Sequence, residues 1–227
     1  MRNQAAACFQ SSWRNLYLAA AMLVVSASSA RSNNIVASST FDSSLDGWYS
    51  DAPQQIQLQG SGGNSGGYLQ FHDTTFNNPW VFAPQEFLGD WRPLENNGAL
   101  EYDFKVIDLG NGAYDMVPTQ FTISGPGGSA SWQSSPTPPI ATTDWVHWTI
   151  PIDSAHLHVT SGSLDSLLAN VTELKIWVEG VSNNNGFDTD GLDNVVLSSV
   201  PEPSTFTLLA LGAVALLGSK QLRRRSS

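Results

Sequence analysis

The amino-acid sequence predicts an all-β fold, an antiparallel β-sandwich, with a targeting segment on each side of it. Short segments alternate apolar and polar residues and are rich in aromatic and β-branched side chains, as expected for half-buried strands. Clusters of Gly, Asn, Ser and Pro separate these segments, and residues 164–169, with Ser163 as the N-cap, have a helical pattern. Many short strands with one brief helix are typical of a sandwich. The predicted strands cover residues 68–71, 99–106, 119–123, 145–150, 174–178 and 192–197.

The N-terminal segment has the composition of a secretory signal peptide. Arg2 and Arg14 supply positive charge, and an apolar run covers residues 16–25. Ser28 and Ala30 provide the small side chains that a signal peptidase recognises. The sequence therefore predicts an N-terminal signal helix that is cleaved after Ala30. An uncleaved N-terminal anchor is the alternative, but the apolar run is too short to span a bilayer comfortably.

Charge is distributed unevenly along the chain, whose formal net charge is −10. The central region keeps only Arg92, Lys105 and Lys175 against nineteen acidic residues, a net charge of −16. Such a surface repels phosphate backbones, which argues against nucleic acid as a partner, and it tolerates divalent cations. An acidic coat that keeps an exported protein soluble is the simpler interpretation. The one cysteine, Cys8, lies in the predicted signal peptide, so the mature domain has no disulfide or Cys-ligated metal.

The C-terminal segment combines a Pro-Glu-Pro sequence, a short apolar stretch and a terminal basic cluster. The apolar stretch, residues 205–219, would reach ~22 Å as a helix against a hydrocarbon core of ~30 Å, so we expect a marginal transmembrane helix. The basic cluster should stay cytoplasmic and leave the domain outside. The two prolines keep the chain upstream extended and accessible to a processing protease. The signature residues are Pro201, Glu202, Pro203, Arg223, Arg224 and Arg225.

This order of features resembles the PEP-CTERM sorting signal over residues 200–225. The resemblance implies processing by an exosortase, for which the Pro-Glu-Pro residues are substrate and not catalyst. It also implies export through the inner membrane of a Gram-negative bacterium that makes exopolysaccharide, with the protein at the cell surface or in the extracellular matrix. An ordinary membrane tail anchor is the alternative.

The region between the two targeting segments resembles laminin B (domain IV) modules. The resemblance is carried by residues 41–48, 63–69, 82–89, 168–174 and 191–195. It implies a galactose-binding-like jelly roll, a fold shared with many carbohydrate-binding modules, in an extracellular protein that lacks a defined catalytic role. Ser65 departs from the family pattern, which usually has proline at that turn. The chain is then a signal peptide (1–30), a laminin B-like domain (31–199) and a sorting signal with a transmembrane helix (200–227).

A calcium site is predicted from the acidic residues near the end of the domain. Residues 188–193 resemble the start of a calcium loop, with alternating acids and then glycine, but they lack the downstream Glu of an EF-hand. Galactose-binding-like sandwiches often hold a structural Ca²⁺ where the first and last strands meet. By this resemblance, Asp42 and Asp193 would supply oxygen ligands. The alternative is a hydrogen-bonded Asp that stabilises a loop.

Seven tryptophans lie in the domain, and five of them fall into two predicted groups. Trp80, Trp91 and Trp132 lie near turn residues, so we predict that they face solvent and contact glycan. Trp48 and Trp177 are predicted to fill the core, because large aromatic side chains most often do so in sandwiches.

Three sets of polar residues are candidates for catalysis or metal binding. Residues 63–67 match G-x-S-x-G but lack the strand–elbow–helix context of a nucleophile. Glu101 and Asp103 share one face of a strand, where a solvent-facing stripe is favoured over a pair of glycosidase carboxylates. His156 and His158 alternate in the same way, and an exposed pair is favoured over a metal site. The domain is therefore predicted not to be an enzyme.

The sequence as a whole predicts an exported, exosortase-processed surface or matrix protein. Its sandwich is expected to bind polysaccharide or another matrix component without catalysis. Before processing, the C-terminal helix holds it in the membrane. A secreted carbohydrate-active hydrolase is the second interpretation, and a purely structural matrix protein is the third.

Overall fold

The computed structural model describes residues 34–73, 80–110, 114–135, 144–183 and 188–199. The predicted signal helix and the predicted transmembrane helix lie outside these ranges, so both stay predictions. Within the described ranges, no helix is long and apolar enough to cross a membrane.

The described strands form two six-stranded antiparallel sheets and one two-stranded sheet. In chain order the strands are β1 (Asn34–Ser39), β2 (Tyr49–Ser50), β3 (Ile56–Gln59), β4 (Tyr68–His72), β5 (Trp80–Phe82), β6 (Gly98–Asp108), β7 (Tyr114–Met116), β8 (Gln120–Gly125), β9 (Gly128–Gln133), β10 (Val146–Pro151), β11 (His158–Gly162), β12 (Glu173–Trp177), β13 (Val181–Asn183) and β14 (Thr189–Ser199). The first sheet has the order β10-β6-β14-β4-β3, with β1 beside the C-terminal half of β14. The second sheet has the order β11-β9-β8-β12-β5-β2, and β7 pairs with β13.

The core lies between the two large sheets, because each strand turns its apolar residues to one face. In β6, Tyr102 and Phe104 are buried, and in β12, Leu174 and Ile176 are buried. The two layers meet where the ring of Tyr102 contacts the edge of Trp132, with centroids 6.5 Å apart. Burial of each large apolar side chain of this kind contributes ~1.5–3 kcal/mol to folding.

The described helix, α1 (Leu164–Leu168), confirms the helical prediction and its cap. The Ser163 Oγ accepts a hydrogen bond from the Ser166 backbone N–H at 3.3 Å, and Leu164 and Leu167 pack into the core. Three short 3₁₀ helices join strands, at Pro53–Gln55, Gln85–Phe87 and Arg92–Leu94. All six predicted strands are present, so the predicted antiparallel jelly-roll sandwich is confirmed for the described residues.

Candidate functional site

The outer face of the second sheet carries its side chains in rows that cross the strands. Antiparallel pairing aligns one residue from each strand, and residues two apart on a strand share a face. The central row, in strand order, is Tyr49, Phe82, Lys175, Thr122, Ser131 and His158. The next row is Trp80, Trp177, Gln120 and Gln133. We call these two rows together the outer-face rows.

One end of the outer-face rows is aromatic. The Trp80 and Trp177 rings lie opposite each other with centroids 5.6 Å apart and a 45° tilt. Tyr49 stacks on Phe82 at 5.0 Å, and the Lys175 Nζ lies 4.8 Å from the centroid of the Trp80 ring. Apart from Tyr49, which is exposed, these side chains are partly exposed to solvent.

Trp177 therefore lies on the surface, and the prediction that it fills the core is wrong. Its neighbour Ile176 is the residue of that pair that faces the core. The Trp177 Nε1–H donates a hydrogen bond to the Glu179 Oε2 at 3.2 Å, which fixes the indole on the sheet. Burial of the Glu179 carboxyl, together with the charges of Asp188 and Asp73, raises its pKa to about 7.

The other end of the outer-face rows opens into a cleft of ≈ 400 Å³. The cleft is lined by Ser131, Trp132, Gln133, Ala155, His156 and His158. Trp132 is only partly buried: it stacks on Phe121 with centroids 5.9 Å apart and meets the Trp148 ring at 5.6 Å. The structure thus brings Trp132, which we predicted as a glycan contact, together with the predicted histidine pair.

The two histidines of the predicted pair have different surroundings. His156 Nδ1 lies 2.8 Å from the Asp153 Oδ1, and His158 stands at the end of the central row. Among the residues that the structure describes, no group of three or more His, Cys, Asp or Glu side chains could hold a metal ion.

Trp91 corrects a second tryptophan prediction, because it lies in the core. Its side chain is only 2% exposed, and its Nε1–H donates to the Phe87 carbonyl at 2.9 Å. A ring enclosed in this way cannot stack on a sugar, so the prediction that Trp91 contacts glycan is wrong. Trp48 is in the core as predicted, with its Nε1–H donating to the Ser39 Oγ at 2.9 Å.

Asp42 and Asp193 both hold the glycine-rich loop at residues 60–67. The Asp193 Oδ2 accepts a hydrogen bond from the Asn64 N–H at 2.8 Å, and the Asp42 Oδ1 accepts one from the Gly67 N–H at 3.2 Å. A Cβ at residue 63 would lie 2.6 Å from the Asp193 Oδ2, which explains glycine there.

Each of these two carboxylates has its own hydrogen-bonding role in the loop. They hold different parts of the loop through backbone N–H groups. The geometry matches the alternative role, that of hydrogen-bonded carboxylates that stabilise a loop. Calcium binding as such stays a prediction.

Asp103 lies under the same loop. The prediction that it belongs to a solvent-facing stripe is therefore wrong. Asp103 is 1% exposed and accepts hydrogen bonds at 2.8 Å from the amides of Asn64 and Asn194. The His147 Nδ1 lies 2.7 Å from the Asp103 Oδ1, and the His147 Nε2 lies 3.4 Å from the Glu101 Oε2. A carboxylate covered in this way is not accessible as one member of a glycosidase pair.

A buried acidic cluster includes Asp188 and Asp190, which the sequence singled out, and two acids that it did not. Asp73, Glu179, Asp188 and Asp190 are all buried. Burial raises the pKa of Asp188 and, much further, that of Asp190. The Asp188 and Asp190 carboxyl groups lie close enough to share a hydrogen bond, which requires a proton on one of them. At neutral pH, the carboxyl groups of Glu179, Asp188 and Asp190 weaken the fold unless they hold protons.

Comparisons with known proteins identify the C-terminal sorting motif and support the β-sandwich fold. Residues 199–225 match the model of the PEP-CTERM protein-sorting motif. The chain resembles the L4b domain of human laminin α2, with a TM-score of 0.52 and 10% identity over 73% of this chain and 98% of that chain. It also resembles the family 11 carbohydrate-binding module of Clostridium thermocellum Lic26A-Cel5E, with a TM-score of 0.48 and 16% identity over 78% and 99% of the two chains. No curated protein matches the sequence.

The likeness to the laminin domain supports the fold of the sandwich, and at 10% identity it supports the fold alone. The predicted PEP-CTERM signal and laminin-like sandwich are confirmed. The chain has a β-sandwich domain with the fold of a laminin L4 module, followed by a PEP-CTERM protein-sorting motif, which marks it as an exported protein processed at the cell envelope.

Proposed function

We propose that the domain binds polysaccharide on the outer face of its second sheet and does not cleave it. The observation that carries this proposal is the pair formed by Trp80 and Trp177, two partly exposed indoles side by side on neighbouring strands. Large aromatic side chains bury ~150–250 Å² each when they are covered, so a partner gains free energy by covering them. The apolar faces of pyranose rings are suited to such a platform.

Polar groups beside the platform support a sugar ligand over a purely apolar partner. Gln120 and Thr122 follow the aromatic residues along the outer-face rows and are partly exposed. Their amide and hydroxyl groups suit the hydroxyls of a glycan, because a few placed polar groups beside an apolar surface give orientation and specificity. The covered position of Asp103 supports binding without hydrolysis.

The sorting motif supports the rest of the proposal. An exosortase removes the tail after export through the inner membrane of a Gram-negative bacterium. The domain then works at the cell surface or in the extracellular matrix, where polysaccharide is its partner. Affinity electrophoresis of the exported mature protein in gels that contain neutral polysaccharides tests this function, because a bound protein migrates more slowly.

A further inference from the structure

We propose that this site takes a linear, uncharged polysaccharide laid across the strands, long enough to reach from the aromatic end to the cleft at Trp132 and His156. The inference rests on the proposed function and deepens it. It adds a minimum ligand length, a direction across the sheet and a charge class.

The register of the second sheet makes the outer-face rows continuous. Five strand pairings connect Tyr49 on β2 to His158 on β11 through one residue of every strand. Five spacings of ~4.8 Å between neighbouring strands give a path of about 24 Å. A ligand that follows this path runs perpendicular to the strands and meets aromatic groups first, then hydroxyl and amide groups.

The path is open to solvent at both edges of the sheet. Tyr49 is 57% exposed and His158 is also exposed, whereas Lys175, Thr122 and Ser131 between them are partly buried. Since neither edge residue is covered within the described part of the chain, a polysaccharide passes over both edges. The site therefore recognises the interior of a chain and not its terminus.

The cleft gives the far end of the path its own ligand contacts. Ser131 and Gln133 belong both to the outer-face rows and to the cleft lining. Trp132 also lines the cleft, although its ring packs towards the core against Tyr102 and Phe121. His156 and His158 supply the polar edges of the cleft. A short ligand contacts only one of the two ends, so affinity must rise until the ligand reaches both.

Charge on this face favours an uncharged ligand. Lys175 is the one Lys or Arg on the described strands of the second sheet, and its Nζ lies 3.6 Å from the Glu173 Oε1. The pair leaves the face without a net positive charge, on a chain with a formal charge of −10. A polymer of uronic acids would be repelled by the rest of the domain.

The experiment titrates the mature exported protein by calorimetry with ladders of two to eight units from mixed-linkage β-glucan, xylan and mannan. Polygalacturonate fragments provide the charged comparison. We expect affinity to rise with length and then level off. Trp80→Ala should weaken short and long ligands alike. Gln133→Ala and His158→Ala should weaken long ligands by about tenfold, which is ~1.4 kcal/mol, and leave short ones unchanged.

Gln57→Ala is the matched control, because Gln57 is an exposed glutamine on a strand of the first sheet. It should change nothing. Full affinity for a disaccharide, or long ligands unaffected by Gln133→Ala and His158→Ala, would overturn the inference while leaving the proposed function in place. Binding of polygalacturonate more tightly than the neutral oligosaccharides would overturn the claim that the ligand is uncharged. Failure of every glycan to bind would defeat the proposed function itself.

Discussion

Trp80 and Trp177 lie opposite each other on β5 and β12, with ring centroids 5.6 Å apart on the solvent side of the second sheet. The hydrogen bond from the Trp177 Nε1–H to the buried Glu179 ties this surface pair to the acidic cluster inside the sandwich. The Glu179 carboxylate therefore links the surface tryptophan pair to the buried acids, and substitutions can test the pair and the acids separately.

The first prediction concerns pH. The folded-state pKa of Glu179 is raised to about 7 and that of Asp193 to about 6, so the folded protein binds more protons than the unfolded chain above pH ~4. Stability is therefore lost as pH rises through these values. We expect the melting temperature to fall between pH 5 and pH 8. The loss from Glu179 alone is roughly 2–3 kcal/mol.

Glu179→Gln serves as the control for the pH prediction. It keeps an acceptor for Trp177 and removes the charge, so it should flatten the pH dependence and raise stability at pH 8. A melting temperature that increases from pH 5 to pH 8 in the unaltered protein would refute the buried-acid explanation.

The second prediction separates the two roles weighed for Asp193. Asp193→Ala removes acceptors for the backbone N–H groups of Asn64 and Asn194, so we expect a loss of ~1–3 kcal/mol. Because the role is hydrogen bonding, the loss should be equal in chelator and in excess Ca²⁺. Thermal melts of both proteins in both buffers measure it. If Ca²⁺ stabilises the unaltered protein and not the variant, the calcium role is correct instead.

The third prediction contrasts two tryptophans of opposite location. Trp91→Ala empties a core site and should destabilise the protein by ~3–5 kcal/mol. Trp80→Ala removes a partly exposed ring and should leave the urea midpoint nearly unchanged. Urea denaturation followed by far-UV circular dichroism compares the two variants. An equal loss in both would mean that Trp80 is structural and not part of a binding face.

The fourth prediction concerns processing at the sorting motif. Mass spectrometry of the exported protein should recover peptides up to the Pro-Glu-Pro region and none from residues 205–225. Replacement of Pro201, Glu202 and Pro203 by alanine should retain the tail in membrane fractions. Recovery of tail peptides from the released, unaltered protein would argue against processing.

The sequence pattern was sufficient for the strands that alternate strongly, and it failed for the polar ones. β9 and β11 are rich in Ser and Gly and carry few apolar residues, so they have little periodic signal. Leu174 and Ile176 alternate along β12, and this alternation places Trp177 on the opposite, outer face. The size of the indole instead suggested a core position. The burial of Trp91 depends on residues distant in the chain and could not be predicted locally.

The contacts of the Asp103 carboxylate on the first sheet required the strand register. His147 and Asp103 face each other across β10 and β6, forty-four residues apart in the chain. Asn64 reaches the same carboxylate from a loop that looked like a catalytic motif or a simple turn. Spacing in the sequence carries no information about such contacts, which is also why the acidic cluster was recognised only in part.

The most direct test of the account is the retention of the exported mature protein on neutral polysaccharide by affinity electrophoresis, with and without Trp80→Ala and Trp177→Ala. Trp145→Ala is the control, since Trp145 is a partly exposed indole directly before β10 of the other sheet, packed against Tyr68. The account predicts retention that both outer-face variants weaken by about tenfold, or ~1.4 kcal/mol, and that the control leaves unchanged. Retention that survives both outer-face substitutions, or the release of reducing ends by the protein, would contradict it.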